Sequence, residues 1–181
     1  MRCRVAIALL TYLVSMSPAQ EPKKPADEAG RDLRTMFLTM PAEKAGIERS
    51  SEFPRVWAVA MDWPIDQQIA TLAALADGSA SLYTTGTFGI IGGINNENVR
   101  TAAKALVKKA ERYYDASAST NDLSYPPLDH VRFYFRTFEG VRMIEVTLLS
   151  VTDERGRYSD LFDLAQDVIG QLRMASAKPG E

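Results

Sequence analysis

Four glycines lie close together in the stretch SLYTTGTFGIIGGINNENVR, between a run of strand-forming residues and the start of a helical pattern. Free backbone N–H groups at such a turn bind anions such as phosphate or carboxylate. The stretch matches neither the G-x-G-x-x-G of dinucleotide-binding proteins nor the G-x-x-x-x-G-K-[ST] of Walker loops. The candidate ligand-binding residues are Gly89, Gly92, Gly93, Asn95 and Asn96.

Two other interpretations of this glycine loop, residues 89–96, stay open. Glycines also let a chain leave a sheet edge, which is a purely structural use. In addition, Phe88 and the isoleucines that follow make the loop apolar, a composition that fits an exposed surface for a protein partner. The sequence by itself leaves the choice between turn, anion site and partner surface undecided.

His130 is the sole histidine of the chain, and Asp129 precedes it directly. A histidine oriented by a carboxylate can act as a general base, so a hydrolase-type reaction is one candidate activity. The same position at the start of a predicted strand also fits an ordinary edge residue. The chain has no G-x-S-x-G and no H-E-x-x-H motif, and Asp122 adds only a loosely placed third residue to this pair. These residues favour a non-catalytic protein and predict neither a metal site nor a cofactor.

A series of basic residues recurs every four positions along the helical pattern NENVRTAAKALVKKAERYYDAS. This spacing places them on one side of a helix, where they can meet an acidic protein partner or an anionic surface. A solvated helix face has the same composition, and Glu97 and Glu111 dilute the charge. The residues of this basic ridge are Arg100, Lys104, Lys108 and Arg112.

The first 19 residues have the layout of a secretory signal peptide. Arg2 and Arg4 precede the apolar run VAIALLTYLVSM, which is too short to span a bilayer, and SPA provides small residues for cleavage after Ala19. We therefore predict an exported protein, periplasmic or secreted, with no membrane span after cleavage. The next segment, residues 20–31, is polar and contains two prolines, which predicts a flexible linker.

Composition predicts one globular domain, residues 32–176, followed by a frayed tail, residues 177–181. The exported chain has no cysteine, so its stability must come from a hydrophobic core, and 46% of the residues are apolar. The chain has 21 basic and 23 acidic residues, and loss of Arg2 and Arg4 leaves a net charge of −4. An acidic balance of this kind argues against a nucleic-acid partner.

Two hairpins dominate the predicted strands. Asp77-Gly78 is a strong turn signal, and a two-residue loop there sets Leu72 opposite Tyr83. A second two-residue loop at Glu139-Gly140 pairs Phe135 with Ile144. In that second hairpin the apolar residues share one face, and we predict that the opposite face is solvated, with its arginines exposed. Its residues include Arg132, Tyr134 and Arg136.

Helical spacing predicts further elements in RDLRTMFLTM, in the basic ridge and in YSDLFDLAQDVIGQLRMAS. The fold class is therefore predicted to be α+β, a single domain with an antiparallel sheet of about five strands flanked by about three helices. The order is helix, three strands, helix, two strands, helix.

The motif ALADGSASLY…GIIGG, together with HVRFYFRTFEGVR, resembles a group of short, uncharacterised exported bacterial proteins over residues 56–173. That resemblance implies no activity and no cofactor. The order of elements is similar to roadblock- and profilin-like domains, which often serve as interaction platforms. The leading functional prediction is an exported non-catalytic interaction module with an unidentified protein partner of the cell envelope, and a homodimer is possible. The alternative is a small-ligand or anion-binding protein that uses the glycine loop.

Overall fold

The computed structural model describes residues 26–86 and 88–177. The predicted signal peptide, residues 20–25 of the predicted linker and residues 178–181 of the tail lie outside this part of the chain. The described residues form one open antiparallel sheet of seven strands with four α-helices, which confirms the α+β class. None of the helices in these residues is long and apolar enough to cross a bilayer.

The elements follow one another in two blocks of strands separated by a helix. The helices are α1 (Ala26–Thr39), α2 (Glu97–Ala110), α3 (Leu148–Thr152) and α4 (Ser159–Ser176). The strands are β1 (Val56–Ile65), β2 (Gln68–Leu75), β3 (Ala80–Thr84), β4 (Gly89–Ile90), β5 (Ala118–Ser119), β6 (His130–Thr137) and β7 (Gly140–Thr147). Their order in the sheet is β4-β3-β2-β1-β6-β7-β5. The two strands beyond the predicted five are β4 and β5, each of two residues.

The first helix begins six residues before the predicted domain boundary, so residues 26–31 are helical rather than part of a flexible linker. Both prolines of that segment precede Ala26, and the residues that follow contain no helix breaker other than Gly30. A Cβ added at Gly30 would lie 2.5 Å from the backbone oxygen of Thr84. Glycine at this position therefore lets α1 lie directly on β3.

The sheet has a helix layer on each face. Successive strand residues point to opposite faces, and Asp62 and Trp63 of β1 show this division. Asp62 accepts hydrogen bonds from Arg34 of α1, whereas Trp63 meets Phe162 of α4 edge to face with ring centroids 5.9 Å apart. Since α2 packs against α4, α1 covers one face and the pair α2–α4 covers the other.

The main core lies between the sheet and the α2–α4 pair. Fully buried alanines such as Ala103 and Ala165 let these helices approach closely. At the edge of their contact, the hydroxyl of Tyr113 donates to Asp160 at 2.5 Å, and Lys109 bonds the same carboxylate at 2.8 Å. Desolvation and the hydrogen bond to Asp160 raise the pKa of Tyr113 to about 12.

The register of the β2–β3 hairpin differs from the predicted one by one residue. Leu72 lies opposite Leu82 rather than Tyr83, because Leu75 bonds the Ser79 carbonyl and leaves a loop of three residues, 76–78, instead of two. The side chain of Asp77 accepts hydrogen bonds from the N–H and the hydroxyl of Ser79, at 2.7 and 2.8 Å. Gly78 has a φ of 94°, which favours glycine in this longer loop.

The predicted register of the β6–β7 hairpin is wrong by two residues. Ile144 pairs with Phe133 and not with Phe135, since the loop consists of residues 138–139 and Gly140 already pairs with Thr137. The Thr137 hydroxyl donates to the Gly140 carbonyl at 2.9 Å and fixes this turn. A shift of two keeps every side chain on its predicted face.

Candidate functional site

Gly92 and Gly93 have different structural uses in the glycine loop. Gly92 is exposed with a φ of 87°, so it turns the chain from β4 toward α2. Gly93 is buried, and a Cβ added there would lie 2.6 Å from Val99 and 2.7 Å from Leu172. Gly93 therefore packs the loop against α2 and α4.

Asn96 is the N-cap of α2. Its Oδ1 accepts hydrogen bonds from the N–H groups of Asn98 and Val99 at 3.0 and 3.2 Å. The first turn also carries Glu97, whose carboxylate forms an ion pair with Arg100. Because the cap already binds these N–H groups and a carboxylate lies beside them, the end of α2 offers a poor anion cradle.

The two apolar residues that flank β4 are exposed. Phe88 is 52% exposed and Ile91 is 68% exposed, while Ile90 between them is half-buried. β4 pairs with β3 on one side only and forms the outer edge of the sheet. We call residues 88–92 the apolar edge.

The apolar edge is held in place by Thr84. The Thr84 hydroxyl donates to the Phe88 carbonyl at 2.6 Å and accepts from the Phe88 N–H at 3.3 Å. Together with the two-residue pairing of β4 on β3, these bonds present Phe88 in a defined position. The edge is therefore a structured surface of the sheet.

Three residues of the basic ridge lie along α2, whereas Arg112 lies in the 3-10 turn Glu111–Tyr113 that follows it, and part of the ridge's charge is neutralised. Arg100 pairs with Glu97, and its Nη1 donates to the Ile94 carbonyl at 3.1 Å. Lys108 lies 3.5 Å from the carboxylate of Glu52. Lys104, on the same face, is exposed.

Lys108 and Arg112 line an open groove of about 680 Å³ between α2, α4 and residues 51–55. Its other cations have partners, since Arg55 pairs with Glu111 at 2.9 Å and Lys109 pairs with Asp160 at 2.8 Å. Paired charges at a surface contribute little to attraction for a partner. Three of the four cations of the groove are therefore paired and, among the described residues, only Arg112 keeps an uncompensated charge, so the ridge is a weaker candidate surface than its spacing predicts.

Asp129 and His130 do contact each other, with 2.8 Å between Oδ1 and the ring Nδ1. The hydrogen bond with His130 holds the pKa of Asp129 below its usual value. Thr147 is the cross-strand partner of His130, but its hydroxyl accepts from the Ser150 N–H. No described serine or threonine side chain is hydrogen-bonded to His130, so the pair is not joined to a nucleophile.

A layer of polar side chains is buried under α1, where the sequence predicted a solvated face. Arg34 of α1 is 4% exposed and bonds Asp62, which is fully buried, at 2.5 Å. Thr71 donates to the same carboxylate at 2.6 Å. Burial opposes the charge of Arg34, but the hydrogen bonds to Asp62 outweigh it and raise the pKa of Arg34.

The face of β6 that carries Arg132, Tyr134 and Arg136 belongs to this layer, so the prediction of a solvated face is wrong. The three residues are 9%, 0% and 6% exposed. Residues 121–127 cover Arg132 and Tyr134, whose donors bond the Ser124 carbonyl at 2.8 and 2.7 Å, and the end of α1 covers Arg136. Arg132 also pairs with Glu145, directly across the hairpin. The buried polar layer thus fixes α1 and residues 121–127 to the sheet.

Sequence reasoning missed the Arg34–Asp62 pair, although one signal was present. Asp62 is the only charged residue in the otherwise apolar strand VWAVAMDW, and a carboxylate inside a buried strand needs a cationic partner. In the part of the chain that the structure describes, no group of three or more histidine, cysteine or acidic side chains is placed to hold a metal ion.

Comparisons with protein-family models, with curated proteins and with solved structures gave no match to this chain. The site is accordingly judged on its own geometry. Of the predicted surfaces, the apolar edge is exposed and structured, the basic ridge is partly neutralised, and Asp129 with His130 has no nucleophile among the described residues.

Proposed function

We propose that this protein is an exported, non-catalytic interaction module that binds a protein partner through the apolar edge. The observation that carries the proposal is the exposure of Phe88 and Ile91, 52% and 68%, on an unpaired edge of the sheet. Export is proposed from the signal-peptide pattern of residues 1–19.

An unpaired edge strand offers free N–H and C=O groups to another chain. Proteins usually protect such edges with charged side chains or proline, and residues 88–92 contain neither. An extended segment of a partner can add to the sheet here by main-chain hydrogen bonds, while apolar side chains contact Phe88 and Ile91. The expected partner is therefore an extended, apolar stretch of another protein.

Introducing charge on the apolar edge tests this proposal. In the double variant Phe88→Lys/Ile91→Lys, we expect loss of the partner from the complex purified from the envelope fraction. Because both side chains are exposed, the free energy of unfolding should change by no more than about 0.5 kcal/mol. Quantitative mass spectrometry of co-purified proteins and urea denaturation give the two readouts.

The matched control is Leu128→Lys/Leu149→Lys, since these apolar side chains are 51% and 80% exposed and lie next to β6 and β7, on the other side of β1 from β4. The control should retain every partner of the unmodified chain. Equal retention by the Phe88→Lys/Ile91→Lys variant would contradict the proposal.

A further inference from the structure

Arg136 differs from the other buried arginines of the polar layer in having no carboxylate partner. Arg34 pairs with Asp62, and Arg132 pairs with Glu145. Arg136 is 6% exposed and forms no ion pair with any described residue. A buried charge without a counter-charge is costly, and the Trp57 ring, 5.2 Å from the Cζ of Arg136, offsets only part of that cost.

The hydrogen bonds of Arg136 satisfy only part of its donor capacity. Its Nη1 donates to the Leu38 carbonyl at 2.5 Å, and its Nη2 donates to the Met40 carbonyl. These carbonyls lie at the C-terminal end of α1, which carries about half a negative charge. The Nε of Arg136 is buried and has no partner, and burial lowers the pKa of Arg136.

Arg136 lines a cleft of about 260 Å³ between the end of α1 and the β6–β7 turn. Drug-sized ligands occupy pockets of roughly 300–1,000 Å³, so this cleft suits a smaller molecule or ion. Thr39 and Thr137 also line its wall, with their hydroxyls donating to the Thr35 and Gly140 carbonyls, and the exposed carboxylate of Glu43 lies at its rim. A compact anion fits the size of the cleft, and Arg136 is the one cationic side chain among its described lining residues.

We propose that this cleft binds a small oxyanion, a phosphate or a carboxylate, with Arg136 as the charged anchor. A guanidinium has five N–H donors, of which two bond the Leu38 and Met40 carbonyls here, and those that remain can bind an oxyanion. The site lies at the β6–β7 turn, whereas β4 forms the opposite edge of the sheet, so it is independent of the apolar edge. Glu43 weakens binding by like-charge repulsion.

NMR of the arginine Nε–H groups in the purified full chain tests the proposal. We expect the Arg136 signal to move saturably as inorganic phosphate is added, with one ion per chain. The Arg34 signal, whose Nε is bonded to Asp62, should stay in place and serves as the internal control. A parallel titration with acetate shows whether carboxylates also bind, and sodium chloride at equal ionic strength controls for screening.

The variant Glu43→Gln removes the opposing charge at an exposed position and should leave the fold intact. Phosphate should then bind roughly two- to five-fold more tightly, the range that exposed charge pairs give. Movement of the Arg136 signal with phosphate alone assigns a phosphate ligand, and movement with acetate as well assigns oxyanions in general. The proposal is overturned if chloride has the same effect, if neither anion moves the signal, or if Glu43→Gln leaves the affinity unchanged.

Discussion

Replacing Asp62 with alanine should lower the free energy of unfolding by about 3–5 kcal/mol, the cost of breaking a buried ion pair. The substitution leaves the Arg34 guanidinium, 4% exposed, without its carboxylate, and it removes the acceptor of the Thr71 hydroxyl. Such a loss is a large fraction of the total stability of a domain. Urea denaturation of the variant and of the unmodified chain gives the difference in the free energy of unfolding.

Two further variants identify burial as the cause of this effect. Glu139→Ala breaks an exposed pair with Arg49 of the same length, 2.5 Å, and should cost less than about 1 kcal/mol. The double variant Arg34→Met/Asp62→Leu replaces the buried pair with apolar groups and should recover much of the loss. If Asp62→Ala costs no more than Glu139→Ala, the buried pair is not a structural link between α1 and the sheet.

Replacing Gly93 with valine should destabilise the protein by about 1–3 kcal/mol through overpacking. Gly93 does not have a positive φ, so the backbone itself accepts a side chain. The cost comes from Val99 and Leu172, which a Cβ at position 93 would approach to 2.6 and 2.7 Å. Thermal and urea unfolding measure the loss, and Gly93→Ala should give a smaller one.

Gly170→Ala provides the control, since Gly170 lies within α4 and a Cβ there meets nothing within 4 Å. Alanine is the better helix former by about 1 kcal/mol, so this variant should be as stable as the unmodified chain or more so. Unchanged stability of Gly93→Val would show that the loop does not pack against α4 as described.

Short sequence signals predicted the two hairpins, because a turn is determined largely by its own few residues. The turn signals at Gly78 and Gly140 gave both hairpins, and Asn96 caps α2 because its side chain reaches N–H groups two and three residues later. The registers were wrong for two different reasons. The β2–β3 loop has three residues rather than two, and the two-residue β6–β7 loop lies one residue earlier than predicted, where the Thr137 hydroxyl bonds the Gly140 carbonyl.

The buried polar layer could not be predicted from local pattern. Tyr134 and Arg136 alternate with apolar residues, which is the pattern of a half-exposed strand. They are buried because α1, about 100 positions earlier in the chain, and residues 121–127 cover that face. Asp62 was the one local signal that this face is covered as well.

The candidate site was predicted in position but not in chemistry. The glycine loop does lie where a strand leads to a helix, but Asn96 uses its oxygen for the cap and Gly93 is a packing residue. What the loop exposes is Phe88 and Ile91. The four-residue spacing of the basic residues correctly placed Arg100 and Lys108 on one face of α2. It could not predict that Lys108 pairs with Glu52, which lies far away in sequence.

Photocrosslinking from position 91 tests the central claim most directly. A photoreactive amino acid replaces Ile91 in the full chain within its native cells, and a matched chain carries it at Leu149, an exposed apolar residue away from β4. We predict a discrete adduct with another protein from position 91 and none from position 149. No adduct from position 91, the same adduct from both positions, or an adduct only with a second copy of this chain would contradict the proposed partner site.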